Sequence, residues 1–164
     1  MTAGDVIRLL DLAPHPSEGG HFRETYRSRA SFEPGGPFEG DRSHSTAIYY
    51  LLTADTFSEM HRLPGDEVFH FYLGDPVEML ELHPDGRSTI TVLGPDLEQH
   101  VVQHVVPGGT WQGARIVAGG EWALLGTTMA PGFAYEDYES GMPDLVEAYP
   151  ERADLVSSLL IAHA

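Results

Sequence analysis

Short stretches of alternating apolar and polar residues fill most of the chain between about residues 20 and 138, and glycine, proline and aspartate separate them. An alternation with a period of two is typical of a half-buried strand. Many short strands with turn residues between them predict a β-sandwich or β-barrel. The predicted strands are Phe22–Ser28, Thr46–Thr53, Phe57–His61, Glu67–Leu73, Val77–His83, Ser88–Leu93, His100–Val106 and Trp122–Met129.

Helical spacing is found only near the two ends of the chain. Val6, Leu9 and Leu10 fall on one helix face. Thr2 and Asp5 have the spacing of an N-terminal capping box. After the last strand, two segments separated by a proline have helical spacing: Pro143–Tyr149 and Glu151–Ile161. We therefore expect an all-β fold with one N-terminal helix and one or two C-terminal helices, in a single domain over residues 1–164.

The charge and the apolar content of the chain argue against two classes of partner, nucleic acids and membranes. The net charge is −16, from nine basic and 25 acidic residues, and this argues against nucleic acid because phosphate binding needs a basic surface. No apolar run approaches the roughly 18 residues of a membrane helix. The first residues also lack the basic region of a signal peptide, so we expect a cytoplasmic protein without a membrane partner.

Two residue types that carry much of enzyme chemistry are absent. The chain contains no cysteine, which excludes disulfides, thiolate catalysis and cysteine-bound metal. It contains no lysine, which excludes catalysis through a Schiff base. The remaining candidates are histidine, aspartate, glutamate, tyrosine, serine and threonine.

Two stretches place polar groups at a fixed spacing around glycines. Ser58–Gly74 reads SEMHRLPGDEVFHFYLG, with His61 six residues before Glu67. Val105–Gln112 reads VVPGGTWQ. These stretches resemble the two signature motifs of the cupin superfamily. The resemblance implies a double-stranded β-helix, the cupin jelly-roll barrel, with the motif side chains pointing into its lumen.

The resemblance extends over nearly the whole chain. Three further segments look like the cupin family called Cupin 5, or domain of unknown function 985, although here Ser17 is inserted in the first of them. They are His15–Tyr26 (HPSEGGHFRETY), Thr46–Leu52 (TAIYYLL) and Met129–Tyr138 (MAPGFAYEDY). Members of that family resemble in fold the epimerases that act on nucleotide-linked 4-keto sugars, and they form dimers. The resemblance therefore implies a small-molecule ligand and a homodimer.

His61 and Glu67 are the first candidates for a catalytic pair. If Glu67 faces the lumen, the alternation of the strand places Phe69 there too. Ionisable groups buried in a pocket are often functional. The alternative is a hydrogen bond between His61 and Glu67 that only closes the turn at Pro64 and Gly65.

Other residues are candidates for the walls of a pocket. Tyr49 and Tyr50 point opposite ways, so one of them faces the lumen, and Tyr49 and Tyr135 are the candidate catalytic acids. Arg23 either binds an anionic group or forms a surface salt bridge. The remaining candidates for ligand binding are Thr46, Phe69, Trp111 as a roof, Gln112 and Phe133.

A tightly bound metal is not expected. The cupin resemblance places Leu63 and Gln112 where the family has histidines. His61, Glu67 and Gln112 would offer one nitrogen and two oxygens, whereas catalytic zinc or iron sites have two or more histidines. We expect no cofactor, and only a weak site for a divalent ion is left open.

Three functions remain compatible with these residues. The first is an epimerase or isomerase that acts on a carbonyl compound such as a sugar or nucleotide-sugar, with His61 as the base. The second is a barrel that binds a small ligand without catalysis. The third is a metal-dependent lyase or dioxygenase, which Leu63 and Gln112 disfavour.

A homodimer also agrees with the pattern of the early strands. An exposed strand edge needs cover, and both faces of Thr46–Leu52 carry apolar residues. His70, His100 and His104 are expected on the surface or in this interface.

Overall fold

The computed structural model describes residues 1–161, in which two antiparallel sheets pack face to face. The strands are β1 (Ala13–Pro14), β2 (His21–Arg27), β3 (Ser31–Phe32), β4 (Arg42–Ser43), β5 (Thr46–Thr53), β6 (Phe57–Arg62), β7 (Glu67–Gly74), β8 (Val77–Leu82), β9 (Ser88–Leu93), β10 (Gln103–Val106), β11 (Trp111–Ile116), β12 (Trp122–Met129) and β13 (Glu139–Ser140). The helices are α1 (Ala3–Leu10), α2 (Asp144–Ala148) and α3 (Ala153–Ser158), with 3₁₀ turns at Tyr135–Asp137 and Pro150–Arg152.

The order of the strands is that of a jelly roll. The first sheet has the order β1-β2-β5-β12-β7-β10, and the second has β13-β6-β11-β8-β9. Strands adjacent in the chain, such as β6 and β7, therefore lie in different sheets. The prediction of an all-β double-stranded barrel with one N-terminal helix and two C-terminal helices is confirmed.

The helices cover the outer faces of the two sheets. Thr2 and Asp5 form the predicted capping box of α1, which packs through Val6 on the first sheet. The C-terminal helices α2 and α3 pack through Leu145 and Val156 on the second sheet. No helix within residues 1–161 combines the length and the apolar character needed to cross a bilayer.

The inner core comes from the alternating residues of both sheets. Tyr50, Phe69 and Leu125 from the first sheet meet Val77 and Met79 from the second, and each is at most 2% exposed. This confirms the predicted inward face of the strand that begins at Glu67. Removing such large side chains from water supplies most of the free energy of folding.

Five of the strands in residues 1–161 were not predicted: the two-residue strands β1, β3, β4 and β13, and the longer β11, which matters for the site. Strand β11 forms the centre of the second sheet between β6 and β8, and it carries Gln112. Its sequence lacks a clear alternation because Gly113 and Ala114 occupy two of its buried positions. Strand β10 is also shorter than predicted, because residues 100–102 form a separate bridge and turn before Gln103.

The loop between β1 and β2 requires glycine where it passes strand β6. Gly19 has a φ of +97°, and a Cβ atom there would lie 2.3 Å from the carbonyl oxygen of Phe57. The close approach lets the backbone N–H of Glu59 donate to the carbonyl of Glu18. The loop is thereby attached to the strand that carries His61.

We predict that Gly19→Ala destabilises the protein more than Gly119→Ala. Gly119 has a similar φ of +92°, but its Cβ would meet no atom within 4 Å. Both variants incur the left-handed strain of about 1–2 kcal/mol, and only Gly19→Ala adds a clash with the backbone. Urea denaturation of both variants measures the difference in the free energy of unfolding. Equal decreases in the two variants would show that the loop shifts to accept the added Cβ atom at position 19 without a further loss of stability.

Candidate functional site

A cavity of about 60 Å³ lies between the sheets at the end of the barrel where β5, β7 and β12 meet the loop before β2. Its volume has room for only a few water-sized groups. Its walls include six residues with polar or aromatic side chains: His15, Glu18, Thr46, Glu67, Phe133 and Tyr135. The predicted candidates Thr46, Glu67, Phe133 and Tyr135 are thus brought together.

His61 is buried beside this cavity, with 1% of its surface exposed. Its Nδ1 lies 2.7 Å from the backbone carbonyl oxygen of Glu59. A carbonyl oxygen only accepts hydrogen bonds, so Nδ1 carries the proton and Nε2 of the neutral ring keeps a lone pair. The ring also stacks on Tyr138, with centroids 5.0 Å apart. His61 is therefore held in a form that accepts a proton at Nε2.

Glu67 is a buried carboxyl group that interacts with Gln112. The side-chain amide of Gln112 donates to Glu67 Oε2 over 2.8 Å. Burial raises the pKa of Glu67, and Glu18 raises it further, against the opposing effects of His61, Thr127 and Gln112. Within residues 1–161 Glu67 shares no hydrogen bond with His61, so the carbonyl of Glu59 orients the imidazole instead.

Gln112 leaves one polar atom without a partner. The residue is 2% exposed, and its Oε1 has no hydrogen-bond partner among the residues that the structure describes. Burying an acceptor without a donor costs about 1–3 kcal/mol. Because its amide nitrogen already contacts Glu67, this oxygen belongs to the same buried cluster, although Gln112 does not itself line the cavity.

His15 and Glu18 belong to the site but were not identified from the sequence. The backbone N–H groups of Ser17 and Glu18 donate to His15 Nδ1 over 3.3 and 2.9 Å, so the proton of the neutral ring is on Nε2. Nε2 lies 3.9 Å from a carboxylate oxygen of Glu18. Burial lowers the pKa of His15, while the nearby Glu18 partly opposes this. The inserted Ser17 thus contributes a donor to the ring.

Sequence reasoning missed these two residues because their arrangement is local and depends on backbone bonds. The only available signal was the segment HPSEGG, which places a histidine and a glutamate before two glycines. The carboxylate of Glu18 also accepts a hydrogen bond from the hydroxyl of Ser58 over 2.5 Å. That contact joins residues 40 positions apart and has no pattern in the sequence.

Tyr138 and Ser140 hold a third buried carboxylate behind His61. Both hydroxyls donate to the same oxygen of Glu59 over 2.8 Å. Burial, Glu18 and this hydrogen bond raise the pKa of Tyr138. Tyr138 therefore stays protonated, supports the ring of His61 and is not suited to donate its proton to a substrate.

The segment that follows β12 covers the cavity. The hydroxyl of Thr46 accepts from the backbone N–H of Phe133 over 2.9 Å, and Arg27 donates to the Phe133 carbonyl over 3.1 Å. Arg42 is buried and forms a two-pronged ion pair with Asp137. Because Tyr138 ends the same segment, its displacement would uncover both the cavity and His61.

Two candidates on the first sheet lie outside the barrel. Tyr49 packs against the cluster beneath α1, and the guanidinium of Arg23 lies 5.6 Å from the centre of its ring. The inner residues are Phe22 and Tyr50, which are directly paired across β2 and β5. Tyr50 donates its hydroxyl to the Gly19 carbonyl over 2.9 Å, and burial raises its pKa.

Trp111 and Phe69 were also predicted to line the pocket, and neither of them lines the cavity. Trp111 packs on the outer cluster of the second sheet, and Arg62 lies 4.6 Å from the centre of its ring. It cannot roof the cavity because the neighbouring Gln112 is the inward residue of β11. Phe69 does face inward, but it is buried in the core below the cavity.

His104 lies inside the barrel, contrary to the prediction of a surface position. It pairs with the inward residue Phe69, and its Nε2 lies 2.5 Å from a carboxylate oxygen of the buried Glu81. His70 does face the outer side, where it contacts Thr128. His100 accepts a hydrogen bond from the backbone of Asp96.

The donor set does not fit a tightly held metal ion. Within residues 1–161 no group of three or more histidine, aspartate or glutamate side chains is arranged to hold one. Leu63 is buried at the wall of the cavity and has no donor atom. His61 and Glu67 bond to separate partners, and Gln112 adds only an amide oxygen.

We predict that His15→Asn makes folding less sensitive to mild acid. The folded pKa of His15 is lowered, so its contribution to stability is present above the unfolded value near 6.5 and is lost as pH falls through the folded value. Asparagine keeps an oxygen for the N–H of Glu18 but cannot titrate. Melting temperatures between pH 8 and 5 should fall less steeply than in the wild type.

The same substitution at exposed His44 is the control for the loss of one histidine. An unchanged pH slope in His15→Asn would show that His15 is not buried in its neutral form.

Comparisons with known proteins agree with this architecture. The family model described as Cupin superfamily (DUF985) matches residues 4–141. The chain is 31% identical over 133 residues to the uncharacterized protein YML079W of Saccharomyces cerevisiae, covering 74% of this chain and 66% of the yeast protein. Protein SO0799 of Shewanella oneidensis has 32% identity, covers 99% of each chain and superimposes with a TM-score of 0.88.

A more distant likeness extends to an enzyme. Oxalate decarboxylase of Bacillus subtilis, which has Mn(II) centres, superimposes with a TM-score of 0.58 at 15% identity. The match covers 93% of this chain but 36% of the decarboxylase, and at this identity it shows the fold alone. Because the family model spans most of the chain and the strand order is that of a jelly roll, the chain belongs to the cupin superfamily, in the family DUF985.

Proposed function

We propose that this cupin binds a small polar carbonyl compound and transfers protons beside the carbonyl, as an epimerase or isomerase does. The observation that supports this is the opposite protonation of two histidines in one buried cluster. Nε2 of neutral His61 has a lone pair, and Nε2 of neutral His15 has a proton. Proton transfer at carbon needs both a base and an acid.

His61 is the proposed base. The Glu59 carbonyl and the ring of Tyr138 fix its orientation, so the lone pair keeps one direction. His61 does not line the cavity. It interacts electrostatically with Glu67 and His15, and both of these residues line the cavity. A substrate would reach Nε2 when the segment around Phe133 opens.

His15 is the proposed hydrogen-bond donor to the carbonyl oxygen, because a neutral imidazole N–H polarises a carbonyl but is too weak an acid to give up its proton. Tyr49 lies outside, and the hydroxyl of Tyr50 is bonded to a backbone carbonyl. Tyr135 at the mouth of the cavity is therefore the proposed acid, although burial raises its pKa. A protonated Glu67 would add a second donor for the developing oxyanion, as neutral carboxylic acids do in other isomerases.

The size of the cavity limits what enters it. Pockets for small molecules usually measure about 300–1,000 Å³, and this enclosed space is far smaller. A sugar or nucleotide-sugar substrate would place only its reacting end inside. The rest would require the covering segment to move, as the loops that close over many active sites do.

Ligand binding without catalysis is the second proposal. The burial of His61 and the small enclosed volume favour it, because neither needs a reaction. A metal-dependent lyase or dioxygenase is the least supported, since no cluster of three ligands is found in residues 1–161. A weak divalent ion at His61, Glu67 and Gln112 would use the unpartnered oxygen of Gln112.

We predict that the protein exchanges carbon-bound hydrogen of small carbonyl compounds with D₂O and that His61→Asn reduces the rate at least about 100-fold. Asparagine keeps an N–H for the Glu59 carbonyl but lacks the base. Proton NMR of glyceraldehyde, dihydroxyacetone and free ketohexoses in D₂O measures the exchange. His44→Asn, at an exposed site, is the matched control.

Exchange by wild type and His44→Asn with loss in His61→Asn would support the proposal. Equal rates in all three proteins would contradict a role for His61. Ligand binding without any exchange would favour the non-catalytic barrel.

We also propose that two chains associate through the first sheet. Strand β1 covers β2 only at His21 and Phe22, so the rest of this edge is open. Leu9, Tyr72 and Leu73 expose about half of their surfaces on the outer face of the same sheet, at 60%, 46% and 53%. An open strand edge beside exposed apolar residues is typical of an interface.

Light scattering at micromolar concentration should give twice the mass of one chain. Leu73→Glu should give a single chain, because a charge in an apolar interface is costly. Ile90→Glu, on the outer sheet face of β9, should leave the dimer intact. A wild-type mass of one chain would overturn the proposal.

A further inference from the structure

The groups around the cavity carry more negative than positive charge. The carboxyl groups of Glu18 and Glu24 line it together with Glu67, whose raised pKa favours its neutral form, and Glu59 is buried behind it. The guanidinium that lines it belongs to Arg27, and this side chain is bound to both carboxylate oxygens of Glu24 over 2.9 and 2.8 Å. An anion entering this space would meet carboxylates without a free cation in the described part of the chain.

The hydrogen-bonding groups of the cluster are mostly acceptors. Gln112 Oε1 has no partner in the described residues, His61 Nε2 has a lone pair, and Glu18 has a second carboxylate oxygen 3.9 Å from His15. The donors that line the cavity are Nε2–H of His15, the hydroxyl of Tyr135 at the mouth, and the hydroxyl of Thr46, which already accepts from Phe133. A ligand that reaches the inner acceptors must therefore supply donors.

A larger cavity lies on the outer side of Leu63, and its lining also has more carboxylates than guanidinium groups. It measures about 410 Å³, and Leu63 separates it from the inner cavity because it lines both. Its two arginines are already paired, Arg42 with Asp137 over 2.6 Å and Arg62 with Glu139 over 2.7 Å. Glu39 and Glu136 add further carboxylates. A diphosphate that extended outward would find no unpaired guanidinium on this path within residues 1–161.

We infer that the site takes an unphosphorylated, donor-rich small molecule of about three carbons, a hydroxy- or amino-carbonyl compound and its unreactive polyol or amino-alcohol analogues, and rejects phosphates and carboxylates. The inference takes the location of the site from the proposed function. What it adds is the chemical class of the ligand that binds there. It narrows the substrate from nucleotide-linked sugars to neutral or cationic compounds. The enclosed volume of about 60 Å³ sets the small size.

Three compounds with one carbon skeleton test the inference: glycerol, 2-amino-1,3-propanediol and glycerol 3-phosphate. Binding to the full chain is measured by thermal shift and by chemical-shift titration at pH 7 and constant ionic strength, because salt screens charge. The amino diol should bind most tightly, glycerol more weakly, and the phosphate at least about tenfold more weakly than glycerol.

Glu18→Gln tests the source of this order. The variant keeps an oxygen acceptor for Ser58 and loses one negative charge, so the amino diol should lose roughly tenfold in affinity while glycerol changes little. Glu121→Gln makes the same change of net charge at an exposed position and should leave all three affinities unchanged. Equal losses in both variants would overturn the assignment to this cavity.

The outcomes for ligand and reaction are separable. Tight binding of glycerol 3-phosphate, or binding of none of the three compounds, would overturn the inference. The predicted order of binding without any hydrogen exchange from D₂O would support the inference and would contradict the proposed reaction alone.

Discussion

The constraint that organises this end of the barrel is the withdrawal of three carboxyl groups from water: Glu59 and Glu67 are buried, and the side chain of Glu18 is only 13% exposed. Each of them must accept hydrogen bonds, because an isolated buried charge is too costly to keep. Glu59 takes two hydroxyls, Glu18 takes the hydroxyl of Ser58, and Glu67 takes the amide of Gln112. The donors come from β6, β11, β13 and the segment before β13. Satisfying the carboxylates therefore connects both sheets and the covering segment.

The same constraint sets the state of the histidines. The backbone fixes their protons, a carbonyl at His61 and two N–H groups at His15, so their Nε2 atoms differ in role although both rings are buried. The lowered pKa of His15 and the raised pKa of Glu67 both favour uncharged forms inside the barrel.

The sequence predicted the elements with regular patterns and missed those that depend on contacts distant in the chain. Strands β5, β9 and β12 have the predicted bounds because their alternation is undisturbed. Strand β11 was missed because close packing against Met60 and Leu159 requires a glycine at position 113. The inward residues of β2 and β5 could not be chosen from the sequence, because alternation alone does not tell Tyr49 from Tyr50 or settle whether Arg23 faces the lumen. His15 and Glu18 escaped because backbone N–H groups, which every residue has, arrange their side chains.

The position of Leu63 connects the fold to the chemistry. A buried leucine beside His61 gives the wall of the inner cavity an apolar surface where a donor atom would complete a metal site. Within residues 1–161 Arg27 pairs with Glu24, whereas Glu18 is compensated by hydrogen bonds and a distant His15, and Gln112 keeps an oxygen without a partner. This arrangement costs stability, and functional sites are where such costs persist. A ligand with donors would relieve it, and a phosphate would increase it. If the inferred ligand is correct, an apolar side chain at position 63 leaves the acceptors of the site to a neutral or cationic compound.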